Sequence, residues 1–564
     1  MKKTITNFIT RFKNIGFVSL FILTAQLLHA QTGWQWGHSG TASGTETVSS
    51  IATDASGNSY ATGTFNNTMY IVGSYTLNNS QATGQDIFIL KYDAAGNLLW
   101  AKSYGGASGN RQDYSPAITL DGAGNFYLSG YTDCASIAFG TTTLTSYGSF
   151  GSYNGSFLAK FDSNGNPLWA RGFNGQCFAV ASDASGACVT GWFLAGGMSI
   201  GTTTFTGAGF FVGKFDTNGN PLWANKATAS TGVPMGTAIT IDPSGNCIVG
   251  GDYTKTLTIG TATVPNAANL YTDMFIAKYD VNGNFQWVNR IGDGANDHLS
   301  GLATDASGNV FVTGRFSGTV SVGSSSVTGL SGANTVIGKY DANGNGLWAR
   351  SPSCTFVSSG ISSYGIVSDA AGNAYVGGSF GTKNMTAGSY TVTNTVSGGG
   401  TYDMFVLKYD PSGTASGLYK LGGINDEEVY SLSLDASANV YVGGYFTSTS
   451  VTVGSSVLTH TSNSNYDIVV ARLNPGTATG ISTQEQTKGN FLNVYPNPSN
   501  GSFNLEFDKE IAGTITIYDV TGKEILKQEL NKTNSAELNI NTKGMYFVTL
   551  ESEGKRETKK IVVQ

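Results

Sequence analysis

Between residues 31 and 475 the chain has almost no glutamate: Glu46, Glu427 and Glu428 are the three. Glycosidases need two carboxyl groups flanking one bond, and most use Glu for at least one of them, so material for an acid–base pair is thin. Histidine is as scarce. His38, His298 and His460 stand in widely separated stretches, which argues against a His-based triad or a His-rich zinc site. The five cysteines include no Cys-x-x-Cys. Cys188 and Cys247 fall at core positions of matching hairpins, Cys134, Cys177 and Cys354 fall in unrelated stretches, and all are expected to be buried apolar residues rather than a disulfide framework. Helix signals are nearly absent over the same span, and after the first 30 residues nothing is apolar for 18 residues, so the mature protein is expected to have no membrane span. Residues 31–475 hold 17 Lys and Arg against 26 Asp and Glu; a weakly acidic balance of this kind argues against nucleic acid and anionic membrane surfaces as partners.

What the chain has in abundance is one phrase. Asp54-Ala55-Ser56-Gly57-Asn58, followed by Ser59-Tyr60-Ala61-Thr62-Gly63, is echoed from Asp121, Asp183, Asp242, Asp305, Asp369 and Asp435, at steps of 59 to 67 residues. Each unit has a second half, clearest at Asp273-Met274-Phe275-Ile276-Ala277-Lys278-Tyr279-Asp280, then Asn282-Gly283-Asn284 and Trp287. Parallel versions are Phe88–Trp100, Phe157–Trp169, Phe211–Trp223 and Val336–Trp348, while Phe405–Leu418 loses the Trp. The seventh, Asp467 to Asn474, stops at Pro475 without its Trp strand, and an unmatched Trp34-Gln35-Trp36 stands near the start. Short runs of Val, Ile, Tyr, Phe and Thr between two turn phrases predict a small antiparallel sheet of about four strands per unit. In Asn-Gly-Asn the Asn-Gly pair suits a tight hairpin, and in Asp-x-x-Gly-Asn the Asp side chain can accept from backbone amides two residues on. Such a sheet leaves two apolar faces wet, so units must stack, and joining last to first removes the exposed edges. The expectation is all-β: a seven-bladed β-propeller over 31–475, closed by the N-terminal Trp strand, followed by a small C-terminal β-sandwich.

The ends read differently. Lys2, Lys3, Arg11 and Lys13 precede an apolar run from Ile15 to Leu28, with a plausible cut after His29-Ala30, so 1–30 is expected to be a signal peptide. Residues 476–490 are a small-residue linker, and 491–564 are richer in charge, with alternating strands expected at Ser502–Phe507, Thr514–Tyr518, Glu524–Glu529 and Met545–Leu550.

Two resemblances follow from these motifs. The phrase Asp-x-Phe-Ile-Ala-Lys-Tyr-Asp-x-Asn-Gly-Asn-x-x-Trp, continued by a Gly-rich loop and Ile-Ala-x-Asp-x-x-Gly-Asn-Val-Tyr-Val-Thr-Gly, resembles the SBBP-type β-propeller repeat of bacterial surface and secreted proteins. That implies a propeller and no particular activity. The tail, with Tyr495-Pro496-Asn497-Pro498 and Gly501, then Gly544 and Tyr546, then Lys559-Lys560, resembles the type A C-terminal sorting domain of the type IX secretion system of Bacteroidota. This implies passage across the outer membrane to the cell surface or the medium, with the secretion machinery as partner.

Among candidate chemistries, most of the 23 Asp between residues 31 and 475 recur at repeat positions, including Asp113, Asp297 and Asp426 ahead of an Ile strand; Asp133, Asp252 and Asp293 are off-pattern. Asp341-x-Asn343-x-Asn345-Gly346 imitates the start of a calcium loop, yet Pro352 stands where its last ligand belongs, so a hairpin turn is expected. Lys91, Lys160, Lys214, Lys278, Lys339, Lys408 and Arg472 share one repeat position and would form a circle of cations; it could hold a polyanion, but ion pairs with the repeated Asp are the expected role. Trp192, replacing a small residue of most units, is a candidate sugar-stacking platform. The function expected is a non-catalytic binding or structural module, monomeric, without cofactor or metal, with a glycan or protein ligand; the alternative is a carbohydrate-active enzyme with its site in loops on one face.

Overall fold

The computed structural model describes residues 33–564 apart from 41–43, 67–69, 73–74, 81–83, 107–112, 146–154, 267–270, 330–333, 355–359, 397–399, 461–465, 477–491, 520–522 and 553–554. The expected signal peptide and nearly all of the expected linker lie outside the described residues. Among those described there is no helix. The chain divides into two compact units, 1–482 and 483–564.

In the first unit each repeat builds an antiparallel sheet of four strands in chain order. The first sheet is Glu46–Thr53, Ser59–Phe65, Asp86–Tyr92 and Leu98–Tyr104; the fifth is His298–Thr304, Val310–Phe316, Asn334–Tyr340 and Gly346–Arg350. The last repeat supplies Glu427–Leu434, Val440–Phe446 and Asp467–Leu473, and its fourth strand is Trp34–His38, antiparallel to Asp467–Leu473 with Trp36 opposite Arg472. First strands of successive sheets touch in a cycle, so that Glu46–Thr53 lies against both Asp113–Leu120 of the second sheet and Glu427–Leu434 of the last.

Burial explains the stacking. Successive side chains of a strand point to opposite faces, and the third strands Asp86–Tyr92 and Gly155–Phe161 are buried at every position, so each needs protein on both sides. Each hydrophobic cluster of this unit accordingly straddles two sheets: Ile89 with Phe157, Val212 with Phe275, Val406 with Val469 and, across the closure, Val470 with Phe88. Burying one such side chain contributes about 1.5–3 kcal/mol. Outer edges are partly covered as well: the hairpin Thr256–Ile259 and Ala262–Pro265 of the fourth sheet pairs with Pro221–Ala229, the outermost strand of the third.

The two turn phrases, expected to differ, are one device. Asp54 Oδ1 accepts the N–H groups of Ser56 and Asn58 at 3.0 and 2.9 Å, while Asn58 Nδ2 donates to Asp54 Oδ2 at 2.7 Å. Asp93 and Asn97 repeat these three bonds in the second turn.

One cysteine expectation is overturned. Cys188 and Cys247 form a disulfide, because they lie on the second strands of neighbouring sheets that pack face to face within one cluster. A separation of 59 residues along the chain hides a juxtaposition that only stacking creates. Cys134 and Cys177 are buried thiols and Cys354 is half-buried.

The second unit is a connected set of five strands: Leu492–Tyr495, Ser502–Asp519, Glu524–Asn539, Gly544–Ser552 and Lys555–Val563. Two strands expected as separate, 502–507 and 514–518, are one, with register shifts between Glu506 and Gly513. Its first half pairs with Leu492–Tyr495 and its second with Gly544–Ser552, around a core that includes Phe503, Ile515, Val548 and Ile561.

Candidate functional site

The repeated cations are not an open circle. Lys91, Lys160, Lys214, Lys278 and Lys339 are buried. Lys160, Lys214, Lys278, Lys339 and Arg472 pair with the first-turn Asp of their own sheet, Asp121, Asp183, Asp242, Asp305 and Asp435, at 3.1, 3.3, 2.8, 3.4 and 3.4 Å. At Asp242 burial favours the neutral acid, but Lys278, Asn246 and the turn amide outweigh it and hold the carboxyl below its usual range. The same cations also reach the next sheet. Lys278 Nζ and Trp287 Nε1 both donate to Ala342 O, at 3.0 and 3.4 Å, and Arg472 and Trp36 share Ala94 O across the closure. The Trp ring lies on the turn glycine of that neighbour: a Cβ on Gly283 would stand 2.7 Å from Trp223, and one on Gly96 2.8 Å from Trp36. Both glycines hold positive φ, +82° and +90°. Lys, Asn-Gly-Asn and Trp together therefore lock sheet to sheet. In the sixth repeat, where Trp is missing, Gly417 stands opposite Lys408; Tyr419 leans over Gly417 and donates its hydroxyl to Pro475 O at 2.8 Å, so another ring makes the lock.

Asp341 is likewise committed to its turn, accepting from the amides of Asn343 and Asn345 and from Asn345 Nδ2.

The repeats agree in turns and locks and disagree at the opposite end of the sheets. There, in the mouth of the ring, one residue of the first strand faces one of the second: Thr47 and Thr64, Tyr114 and Tyr131, Gln176 and Trp192, Met235 and Asp252 in the first four sheets. The last three carry His298 and Arg315, Ser362 and Ser379, and Glu428 and Tyr445. The residue before the second of each pair is always Gly. Every first strand also bulges just beyond this point, and a bulge re-aims the residue it adds; Phe178, Tyr364 and Tyr430 occupy such positions.

The mouth holds three clusters. On the second and third sheets Tyr114 and Tyr131 stack at 4.5 Å, Phe178 meets Tyr131 edge-on at 6.1 Å, and half-buried Trp192 donates Nε1–H to Gln176 Oε1 at 2.7 Å. On the sixth and seventh sheets Tyr364, Tyr430, Tyr445 and Tyr466 make a chain of ring contacts at 5.4, 5.6 and 4.6 Å. Glu428 lies among these rings, and burial keeps its carboxyl above the usual range, with Tyr364 and Tyr445 beside it pulling the other way. On the fourth and fifth sheets Asp252 Oδ2 lies 3.0 Å from His298 Nδ1, and Asp252 Oδ1 accepts the Leu299 N–H at 2.8 Å. This bond raises the His298 imidazole, while burial raises Asp252. Arg315 is exposed beside them.

Of the off-pattern acids, Asp252 belongs to these clusters by a direct bond, to His298, and Asp133 by the charge it places near Tyr131. Asp293 accepts from the Ala295 and Thr319 amides of its own neighbourhood, and Asp133 follows the second strand of the second sheet. Three further carboxyls clasp loops: Asp113, Asp297 and Glu427 accept the amides of Gly106, Asp293 and Gly423 at 2.6, 3.2 and 2.6 Å, and burial pushes them up to about 6, about 7 and about 7. Sequence reasoning found Trp192 and missed the tyrosines. The signal was available in the disagreement among repeats at one register position.

In the second unit the two halves of the sorting motif meet. Asn497 donates Nδ2–H to Lys560 O at 2.6 Å and accepts the Val562 N–H at 3.0 Å. Pro496 and Pro498 flank it, Tyr495 ends the first strand with its ring exposed, and Gly501 turns at φ +112° before the long strand. Gly544 opens the fourth strand, and buried Tyr546 donates its hydroxyl to Thr542 O at 2.8 Å. Lys559 and Lys560 lie on the last strand, Lys560 exposed.

Residues 493–564 match the family model of the secretion system C-terminal sorting domain. The chain is 25% identical over 384 residues to an uncharacterized WD repeat-containing protein of Acanthamoeba polyphaga mimivirus, covering 54% of this chain and only 27% of that relative. Among solved structures it is similar to Sqt1 from Chaetomium thermophilum, at 9% identity and TM-score 0.37 over 79% of this chain and 99% of the other. It is also similar to a Dyadobacter fermentans protein of unknown function, at 11% identity and TM-score 0.34 over 64% and 95%. The sorting tail marks a protein exported by type IX secretion to the cell surface or the medium.

Proposed function

We propose that the repeat unit is a seven-bladed β-propeller of SBBP type, made with signal peptide 1–30, carried out of a Bacteroidota cell by a sandwich-like tail, and acting outside the cell as a non-catalytic binding module whose binding face is the ring mouth. The observation that carries this is the contrast among repeats: positions that turn the chain or lock sheets recur, while one register position varies among Trp, Tyr, Asp, Arg, Ser and Thr. Variation at a fixed place on a stacked scaffold is how repeat proteins build binding surfaces. A glycosidase would need a second carboxyl opposing Asp252; Asp252 instead holds His298, and Glu428 belongs to the separate tyrosine cluster of the sixth and seventh sheets. A monomer is sufficient, since ring closure comes from within one chain.

The test uses the full mature chain and exopolymer isolated from the producing cells. Wild type is expected to co-sediment with this material, and a Tyr131→Ala, Arg315→Gln, Tyr445→Ala triple variant with unchanged melting temperature is expected to stay in the supernatant. Equal partition of the two would overturn the mouth as the binding face. Steady release of small products by wild type would establish an enzyme instead.

A further inference from the structure

We infer that the mouth takes a neutral glycan chain, laid across the ring between two aromatic walls; this deepens the binding reading above and rests on it. One wall is Tyr131, Phe178 and Trp192 of the second and third sheets, the other Tyr364 and Tyr430 of the sixth and seventh, backed by buried Tyr445. In a cycle of seven sheets these sectors oppose one another. The first sheet lies between them on one side and, among its described residues, presents the small pair Thr47 and Thr64 there. On the other side Asp252, His298 and Arg315 close the passage with donors and acceptors.

This arrangement suits a pyranose. A sugar ring has apolar C–H faces that stack on aromatic rings and a rim of hydroxyls that both donate and accept. Tyr and Trp present an apolar body with a polar tip, and Trp192 is fixed by its bond to Gln176. Rim hydroxyls would find an acceptor in Glu428 and a fork of donors in Arg315, beside which Asp252 holds the His298 ring. Two alternatives fit less well. A polyanion needs a net positive site, but His298 and Arg315 are matched by Asp252 and Glu428. A peptide anchors through apolar side chains in pockets, and Met235 is the one aliphatic side chain among the paired mouth positions.

The test is affinity electrophoresis of the full mature chain through native gels cast with hydroxyethylcellulose, laminarin, galactomannan or arabinoxylan, with polygalacturonate and gelatin as the acidic and peptide arms. Retardation is expected in at least one neutral gel and should persist in high salt. Trp192→Ala is expected to weaken it roughly tenfold, the effect of about 1.4 kcal/mol of lost stacking, whereas Tyr131→Phe, which keeps the ring face, should retain most of it; both variants must melt as wild type does. Retardation confined to polygalacturonate and abolished by salt and by Arg315→Gln would overturn the neutral-glycan inference and leave the binding face standing, and retardation only in gelatin would do the same in favour of peptide. Retardation in no gel would overturn the inference, and co-sedimentation with the cells' own exopolymer would then decide whether the mouth binds at all.

Discussion

Lys278 shows how far a residue's context changes its worth. As one of seven cations at a repeat position it reads as a surface charge, and an exposed pair contributes about 0–1 kcal/mol. In the structure it is buried, 2.8 Å from buried Asp242, with Ala342 O as a second partner. Removing one member of a buried pair leaves the other uncompensated, so Lys278→Gln is expected to cost about 3–5 kcal/mol, against under about 0.5 kcal/mol for Lys→Gln at exposed Lys383. Urea titration of both variants checks this. Acid–base behaviour follows from the loop-clasping carboxyls. Asp113, Asp297 and Glu427 are raised by burial to about 6, about 7 and about 7, above their unfolded values. Their contribution is full below the unfolded pKa and is lost as pH rises through about 6 to 7. The turn and ion-pair carboxyls Asp121, Asp242 and Asp341 are held low, so theirs is lost as pH falls below about 4. The ring's melting temperature is therefore expected to peak near about pH 4 and to decline as pH rises to about 7, levelling off above it. A Glu427→Gln, Asp297→Asn double variant should show a visibly flatter alkaline limb, and an unchanged slope would contradict the assignment.

At the scale of elements, the lock between sheets is the unit of stability. Trp36 is both the missing outer strand of the last sheet and the ring that covers Gly96 of the first. Deleting residues 31–40 removes that strand, exposes the edge of Asp467–Leu473 and uncovers the first sheet, so the melting temperature should fall far more than for deletion of a surface loop of equal size. Gly283→Ala tests the same lock from the other side. It puts a Cβ at positive φ and against the Trp223 ring, and two independent penalties should together exceed about 2 kcal/mol. Tyr419 marks the limit of reading elements by motif. The sixth repeat looks broken because the Trp column is empty, yet a side chain two positions along the same face makes the bond, since a strand brings i and i+2 to one side.

At the scale of the whole molecule, two units carry separate tasks. The tail's strands are tied end to end by Asn497 and Ser499, which bind the last strand, so truncation at residue 491 removes a complete unit and leaves the ring's own contacts intact. That truncated chain is expected to accumulate, folded, in the periplasm, whereas the full chain reaches the surface or the medium with a mature form starting near Gln31 and ending between Pro475 and Asn493. Blotting of periplasmic, surface and medium fractions checks this, and efficient export without the tail would contradict the tail's role.

The sequence by itself determined the repeat, its all-β character, the placement of the Trp34 strand against the last repeat and the sorting tail, because each depends on local periodicity, turn chemistry or a contiguous motif. Only the tertiary structure decided which residues meet from different repeats. The Cys188–Cys247 bond, the sharing of Ala342 O by Lys278 and Trp287, the Asp252–His298 pair and the Tyr131–Phe178 and Tyr364–Tyr430 contacts all join residues of different sheets. Stacking sets those distances, and stacking follows from burying both faces of every sheet at once, a condition on the closed ring that no single repeat contains.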